Sequence, residues 1–328
     1  MLKGLAPVGS GPVDLAAARD AAAAYRKLAR ERNLKPTSRM SVDPEDKVED
    51  PSLKLGRYPA EFTKEGKFVD FDMALFGGLI CAGGERRGCA LVRASQDLFG
   101  RFWRSPDRVG LSGLSDGAPF SGDAFLGVAA FFVAQSEPER FRKYLRNIRA
   151  NKAIVYGREV YKSCQGDDAF QCVLAGPEWL LLNLLASRFG QSAAVPLAMR
   201  NPQATYGFEE HMLAWQAMLN PAGYRLHLTA VQLWLIRQLR GDSEELRLAA
   251  ALLAGRQPNN AFFLYLHLGR DKTVQDLLNK TCTPTRPQNE YTEWMWQAAI
   301  PAFDMSSPPW DRSMRWDCHF MYNLLAYP

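Results

Sequence analysis

The sequence predicts an all-α fold, an (α/α)6-toroid-like helical barrel preceded by an N-terminal helix and an extended arm. Three observations predict it. From residue 70 onward, apolar segments at helical spacing alternate with polar, Gly- and Pro-bearing loops about twelve times. No stretch of any length shows the alternating pattern of a half-buried strand. Some segments (123–135, 177–189) are apolar nearly all round, whereas others (138–150, PERFRKYLRNIRA) are amphipathic. A helix that is apolar all round must be covered on both sides, and a ring of inner helices sheathed by outer partners provides that cover. No 34- or 40-residue period is visible, which argues against a repeat solenoid.

Taken in order, residues 1–69 read as an accessory unit and 70–328 as the toroid domain. Residues 14–32 have Ala, Arg and Lys at helical density, with Asp14 as N-cap. Residues 33–69 are rich in Pro, Lys, Asp and Glu and read as an extended arm laid over the domain. The first toroid helix, 72–81, contains Gly77 and Gly78. Each glycine weakens a helix by about 1 kcal/mol, so the pair marks close packing or close ligand approach. Helices are then expected at 90–97, 123–135, 138–150 (with Pro138 at its start), 177–189, 207–219, 224–239, 243–255, 260–268, 273–279, 291–299 and 313–325.

With 328 residues, 47% of them hydrophobic, the chain can bury a large core. Its net charge of +5 is spread without any run of five or six basic residues, so no nucleic-acid footprint is present. The mild positive surplus leaves room for an acidic glycan as partner. No run of roughly 18 apolar residues predicts a membrane span. The N-terminal stretch is broken by Gly, Pro and Asp and is not a clear signal peptide. The six cysteines suggest a compartment even so. Cys81 and Cys89 bracket one polar loop, Cys164 and Cys172 bracket another of equal length, and Cys282 and Cys318 remain. Paired spacing of this kind predicts disulfides and an extracellular, periplasmic or phage-particle location. None of it has zinc spacing, and no metal is expected.

Chemistry is sought where polar loops deliver polar residues to the heads of apolar helices. Asp72 and Asp123 are both delivered in this way, Asp123 by the Gly/Ser/Asp/Pro-rich loop that begins at Leu111. Aspartate at a helix head is also an ordinary cap, so the company of each matters. FGRFWRSPDR, just before Asp123, offers Trp103 to stack on a sugar and Arg104 to pair with a carboxylate. Tyr224 and His227 share a helix face as proton donors or substrate partners, and Asn260 heads another apolar helix. Trp310 and Asp317 belong to a C-terminal segment in which aromatics and carboxylates interleave. That segment suits a carbohydrate cleft or a hairpin that closes the ring. No P-loop or strand-linked GxGxxG is present, and no cofactor is expected.

The segments FDMALFGGLICAGGERRGCALVRASQDLFGRFWRSP, PFSGDAFLGV, RQPNNAFFLYL and SMRWDCHFMYNLL resemble a poorly characterised family of bacterial and phage-encoded helical proteins, over roughly residues 70–328. In that family the counterpart of Ser121-Gly122-Asp123 reads Ser-Arg-Asp, so the aspartate is kept and a glycine replaces the arginine. At the level of fold, the pattern also resembles (α/α)6 carbohydrate-active enzymes such as the unsaturated glucuronyl hydrolases, which use aspartates at inner-helix ends. Together with the residues above, this leads to the expectation of a glycoside hydrolase acting on a bacterial surface polysaccharide or exopolysaccharide, with Asp123 as acid and Asp72 as base. Two alternatives stand beside it. One is a polysaccharide lyase on the same fold, with Tyr224 or His227 as base. The other is a non-catalytic glycan-binding or phage structural protein.

Overall fold

The computed structural model describes residues 11–37, 56–69, 72–110, 121–150, 174, 176–191, 209–285, 291–299 and 309–327. Twelve α-helices lie among them, with two short β-ribbons. The all-α expectation holds, with helix boundaries mostly within one or two residues of those expected.

Helix α1 (Leu15–Arg32) starts where Asp14 accepts a hydrogen bond from the Ala17 N–H. Its buried residues Ala18, Ala22, Tyr25 and Ala29 recur every three or four positions, giving one apolar face. That face packs on the last helix, α12 (Trp316–Ala326), where Tyr25 stacks on Tyr322 with ring centroids 5.6 Å apart. Gln275 clamps the head of α1 to α11 (Lys272–Thr281), donating to the Asp14 carbonyl and accepting from its N–H. The buried face of the first helix belongs to the same core cluster as α12.

Where it is described, the segment after α1 is extended chain paired into short ribbons. Strand β1 (Leu34–Pro36) pairs antiparallel with β2 (Arg57–Pro59), and β3 (Glu61–Phe62) pairs with β4 (Phe68–Val69) in the register Glu61↔Val69. These strands are two or three residues long, too short for an alternating pattern to show. Residues 38–55 of the arm lie outside the described residues.

Helix α2 (Met73–Ala82) is followed by α3 (Arg86–Ala94), and the Cys81–Cys89 disulfide ties them together. Next come α4 (Gly122–Ala134), α5 (Pro138–Ala150), α6 (Gly176–Arg188), α7 (Glu209–Leu219), α8 (Tyr224–Arg240), α9 (Glu244–Arg256) and α10 (Ala261–Leu268). Helices α2 and α4 are apolar all round and pack backbone to backbone. A Cβ on Gly78 would lie 1.8 Å from the Gly127 carbonyl oxygen, and one on Gly127 would lie 2.0 Å from that of Ala74. Gly77 and Gly78 are therefore packing glycines. The apolar face of α8 includes Leu233, Leu235 and Ile236, all fully buried.

The helix expected over 291–299 does not form. Thr292 and Glu293 instead bridge to Phe62 and Ser313, and only a 3-10 turn, Met295–Gln297, follows. The backbone N–H of Thr292 bonds the Phe62 carbonyl and that of Glu293 bonds the Arg312 carbonyl. Those groups would otherwise begin a helix.

A second disulfide joins Cys282 to Cys318 across 36 residues, while Cys164 and Cys172 lie outside the described residues. The two disulfides point to an oxidising, non-cytoplasmic environment. Among the described residues no helix is long and apolar enough to cross a membrane. Loop closure of this length contributes about 4 kcal/mol, against about 2.5 kcal/mol for the shorter Cys81–Cys89 loop. Cys282→Ser/Cys318→Ser is accordingly expected to lower stability more than Cys81→Ser/Cys89→Ser. Denaturant midpoints of the two double variants check the order, and equal midpoints would remove the loop-length explanation.

Candidate active site

The heads of three helices meet at one end of the core. Asp72 occupies the N-cap position of α2, yet its side chain makes no capping hydrogen bond. This sets it apart from Asp14, Ser121, Ser243, Asn260 and Asp271, all of which cap the helices they precede. Asp123 lies in the first turn of α4, where Ser121 already caps by accepting from the Ala124 N–H. Capping alone therefore accounts for neither carboxylate.

The loop after α3 delivers the cation. The Arg104 carbonyl accepts the Ala74 N–H at 2.7 Å, which sets Arg104 beside the start of α2. Its guanidinium Nη1 is 3.8 Å from Asp72 Oδ1, a loose ion pair. Tyr224, the first residue of α8, completes the group. Burial raises its phenol above the ordinary value, and the charges of Asp123 and Asp72 add to that.

The Asp72 carboxyl is pushed up to about 6, first by burial and then by the negative charge of Asp123, with Arg104 opposing. A helix N-terminus and a nearby cation both favour the ionised form. Burial and the second carboxylate outweigh them here.

Glu61 was hidden in the charged, low-complexity run of the arm. The β3–β4 register places it opposite Val69, three residues before Asp72, and its Oε1 accepts the Trp294 N–H at 3.2 Å. Phe76 of α2 stacks on Trp294 at 5.3 Å, which anchors this segment against the site helix. The Glu61 carboxyl is raised well above the usual range by burial and by the charges of Asp72 and Glu293. Tyr291 donates to Glu293 at 3.0 Å, and Arg312 lies 3.5 Å from it. No periodicity in the sequence marks Glu61, because only strand pairing over eight residues and a contact 233 residues away bring it here.

The other expected binding residues lie in the core. Trp103 is 6% exposed, donates its indole N–H to Asp97 and carries the Arg101 guanidinium 4.2 Å over its ring. His227 is fully buried with neither ring nitrogen hydrogen-bonded, and burial pushes it down to about 3, so it is a neutral core residue beside Phe262. Asn260 is fully buried as the cap of α10, accepting from the Phe262 and Phe263 N–H groups and donating to the Trp296 carbonyl. Trp310 is fully buried edge-on to Tyr25. Asp317 is fully buried and accepts from Ser313 and from the Met295 and Cys318 N–H groups. The C-terminal aromatics and carboxylates thus close the core rather than line a cleft. The sequence pattern suited both roles, and burial decides between them.

A cleft of about 510 Å³ opens between the ends of α8 and α10, away from these carboxylates. Its Arg237 is spent on Asp242 and on the carbonyls of Leu246 and Leu266. The cleft holds no comparable acid pair. The influence of Asp123 on Asp72 marks the helix heads as the candidate site. Comparison of the chain with protein-family models, with curated proteins and with solved structures finds no match.

Proposed function

We propose that the chain is a glycoside hydrolase that cleaves a bacterial surface polysaccharide or exopolysaccharide, with the heads of α2, α4 and α8 forming the floor of an (α/α)6-type cleft. One observation carries the reading: two carboxylates sit close enough at adjoining helix heads for the charge of Asp123 to help hold the proton on Asp72 up to about 6. A carboxyl raised in this way beside a second carboxyl group can serve as the acid of glycosidic cleavage, with the second as base or nucleophile. In this reading Asp72, raised to about 6, takes the role of the acid that protonates the leaving oxygen, where the sequence reading assigned Asp123. Asp123 activates water or attacks the anomeric carbon. Arg104 tempers the charge on Asp72 and offers a partner to an acidic sugar, and Tyr224 offers a hydroxyl to the substrate.

Elimination by a lyase is the weaker reading. It needs a basic phenolate or imidazole, whereas Tyr224 is raised in pKa and His227 is sealed from solvent.

The test is a depolymerisation screen against neutral and acidic bacterial polysaccharides, following new reducing ends and the ultraviolet absorbance of a new double bond. Reducing ends without that absorbance are expected. The rate is expected to fall about tenfold per pH unit above about 6, as Asp72 loses its proton. Double-bond absorbance would show a lyase. Binding without turnover, unchanged in Asp72→Asn and Asp123→Asn, would show a non-catalytic glycan-binding protein.

A further inference from the structure

Seven of the eight tryptophans are sealed in the core: Trp103, Trp179 and Trp234 at 4–6% exposure, and Trp294, Trp296, Trp310 and Trp316 at 0%. Trp215 alone is open, at 65%. It lies on the outer face of α7, opposite the buried Leu213, Ala214 and Ala217, and the exposed Met218 and Leu219 follow one turn later. Exposing an indole forfeits the burial that stabilises the other seven and leaves its face open to a ligand.

The packing of α7 shows where that ligand would lie. Glu210, near the start of α7, pairs with Arg240 at the end of α8 and accepts from Ser243. Asn220, just after α7, donates to Thr229 near the start of α8 at 3.0 Å. The two helices therefore run antiparallel, and the end of α7 lies at the end of the molecule where α8 begins with Tyr224. Tyr224 is 49% exposed, and its phenol feels the charges of Asp123 and Asp72. Trp215 stands four residues before the end of α7, about 6 Å along the helix axis.

We infer that Trp215, continued by Tyr224, is a stacking platform that carries successive sugar rings of a glycan chain toward the carboxylate pair. The inference rests on the carbohydrate reading of that site and adds a subsite outside it. An indole face matches the apolar C–H face of a pyranose while the sugar hydroxyls stay in water. A second copy of the chain fits less well. One indole and two aliphatic side chains fall well short of the roughly 800 Å² per partner of a stable interface, and the same flank carries the polar pair His211 and Glu245.

The test is acrylamide quenching of tryptophan fluorescence on the full chain carrying Asp123→Asn, titrated with cellohexaose, chitohexaose and hexamers of alginate and hyaluronan. With seven indoles sealed, the quenchable signal reports Trp215. Saturable protection by at least one probe is expected. In calorimetric titration, Trp215→Ala is expected to weaken that probe about tenfold or more and Trp215→Phe less, both with unchanged circular dichroism. Protection by no probe, or equal affinity in Trp215→Ala, overturns the platform. Protection that grows with protein concentration without glycan, alongside a dimer in sedimentation, overturns it in favour of self-association. The two readings fail separately. Wild-type protein that binds a probe without cleaving any loses the hydrolase and keeps the platform. Cleavage with an unchanged KM in Trp215→Ala loses the platform and keeps the hydrolase.

Discussion

Asp72→Asn is expected to abolish turnover and at the same time make the folded protein more stable above pH 6. Removing a positioned general acid costs about 10²–10⁴ in rate. The stability effect follows from linkage. The folded-state pKa of Asp72, about 6, lies above the ordinary 3.8. Between those values the folded state holds a proton that the unfolded state has lost, so this group lowers stability as pH rises through that window and keeps it lowered above. Asparagine resembles the protonated form and removes the charge. Two pKa units correspond to about 3 kcal/mol at most, and water reaching a side chain that is 31% exposed reduces the gain to about 1–2 kcal/mol. Thermal melts at pH 4 and pH 8 check the sign: no difference at the lower pH, a higher Tm for the variant at the upper. A carboxylate kept for folding would show the reverse, and a variant with full activity would remove Asp72 from the mechanism. Such a trade of stability for function is common at active sites.

Gly78→Ala is expected to destabilise the protein by about 3 kcal/mol or more, although alanine is the better helix former by about 1 kcal/mol. The new Cβ would lie 1.8 Å from the Gly127 carbonyl oxygen and 2.4 Å from its carbonyl carbon. These are backbone atoms that cannot swing aside, so α2 and α4 must separate. Overpacking typically costs about 1–3 kcal/mol, and a clash between two backbones belongs at or beyond the top of that range. Because Asp72 and Asp123 head these two helices, activity is expected to fall with stability. Gly255→Ala in α9 is the control. Nothing lies within 4 Å of a Cβ there, so only propensity acts, and a gain of up to about 1 kcal/mol is expected. Urea midpoints of the two variants should move in opposite directions. A stabilised Gly78→Ala would show that the helices do not touch at this point.

Much of the local architecture was legible in the sequence because it depends on neighbours in the chain. The Ala-rich run behind Asp14, the apolar runs behind Ser121 and Asn260 and the amphipathic 138–150 segment each became a helix near the expected boundary. The 291–299 segment failed because its hydrogen bonds go to Phe62 and Arg312, far away in sequence. Asp72, Asp123, Arg104 and Tyr224 were visible as polar residues at or near the heads of apolar helices. Their mutual influence was not, since it depends on how α2, α4 and α8 converge. Trp103 and His227 looked like neighbours of the site, but Trp103 is tucked against Asp97 and Arg101, and His227 is buried beside Phe262. Trp215 drew no notice in the sequence because an isolated indole on a helix normally faces inward.

By itself, then, the sequence determined the helical class, most helix boundaries and the candidate carboxylates, all consequences of patterns within a few turns of chain. Only the tertiary structure decided that burial and the charge of Asp123 raise the Asp72 carboxyl, that Glu61 adjoins it and that Trp215 faces solvent. Burial and Coulombic coupling depend on distances between segments that lie up to hundreds of residues apart. Such distances are set when the helices pack, not by the local order of residues.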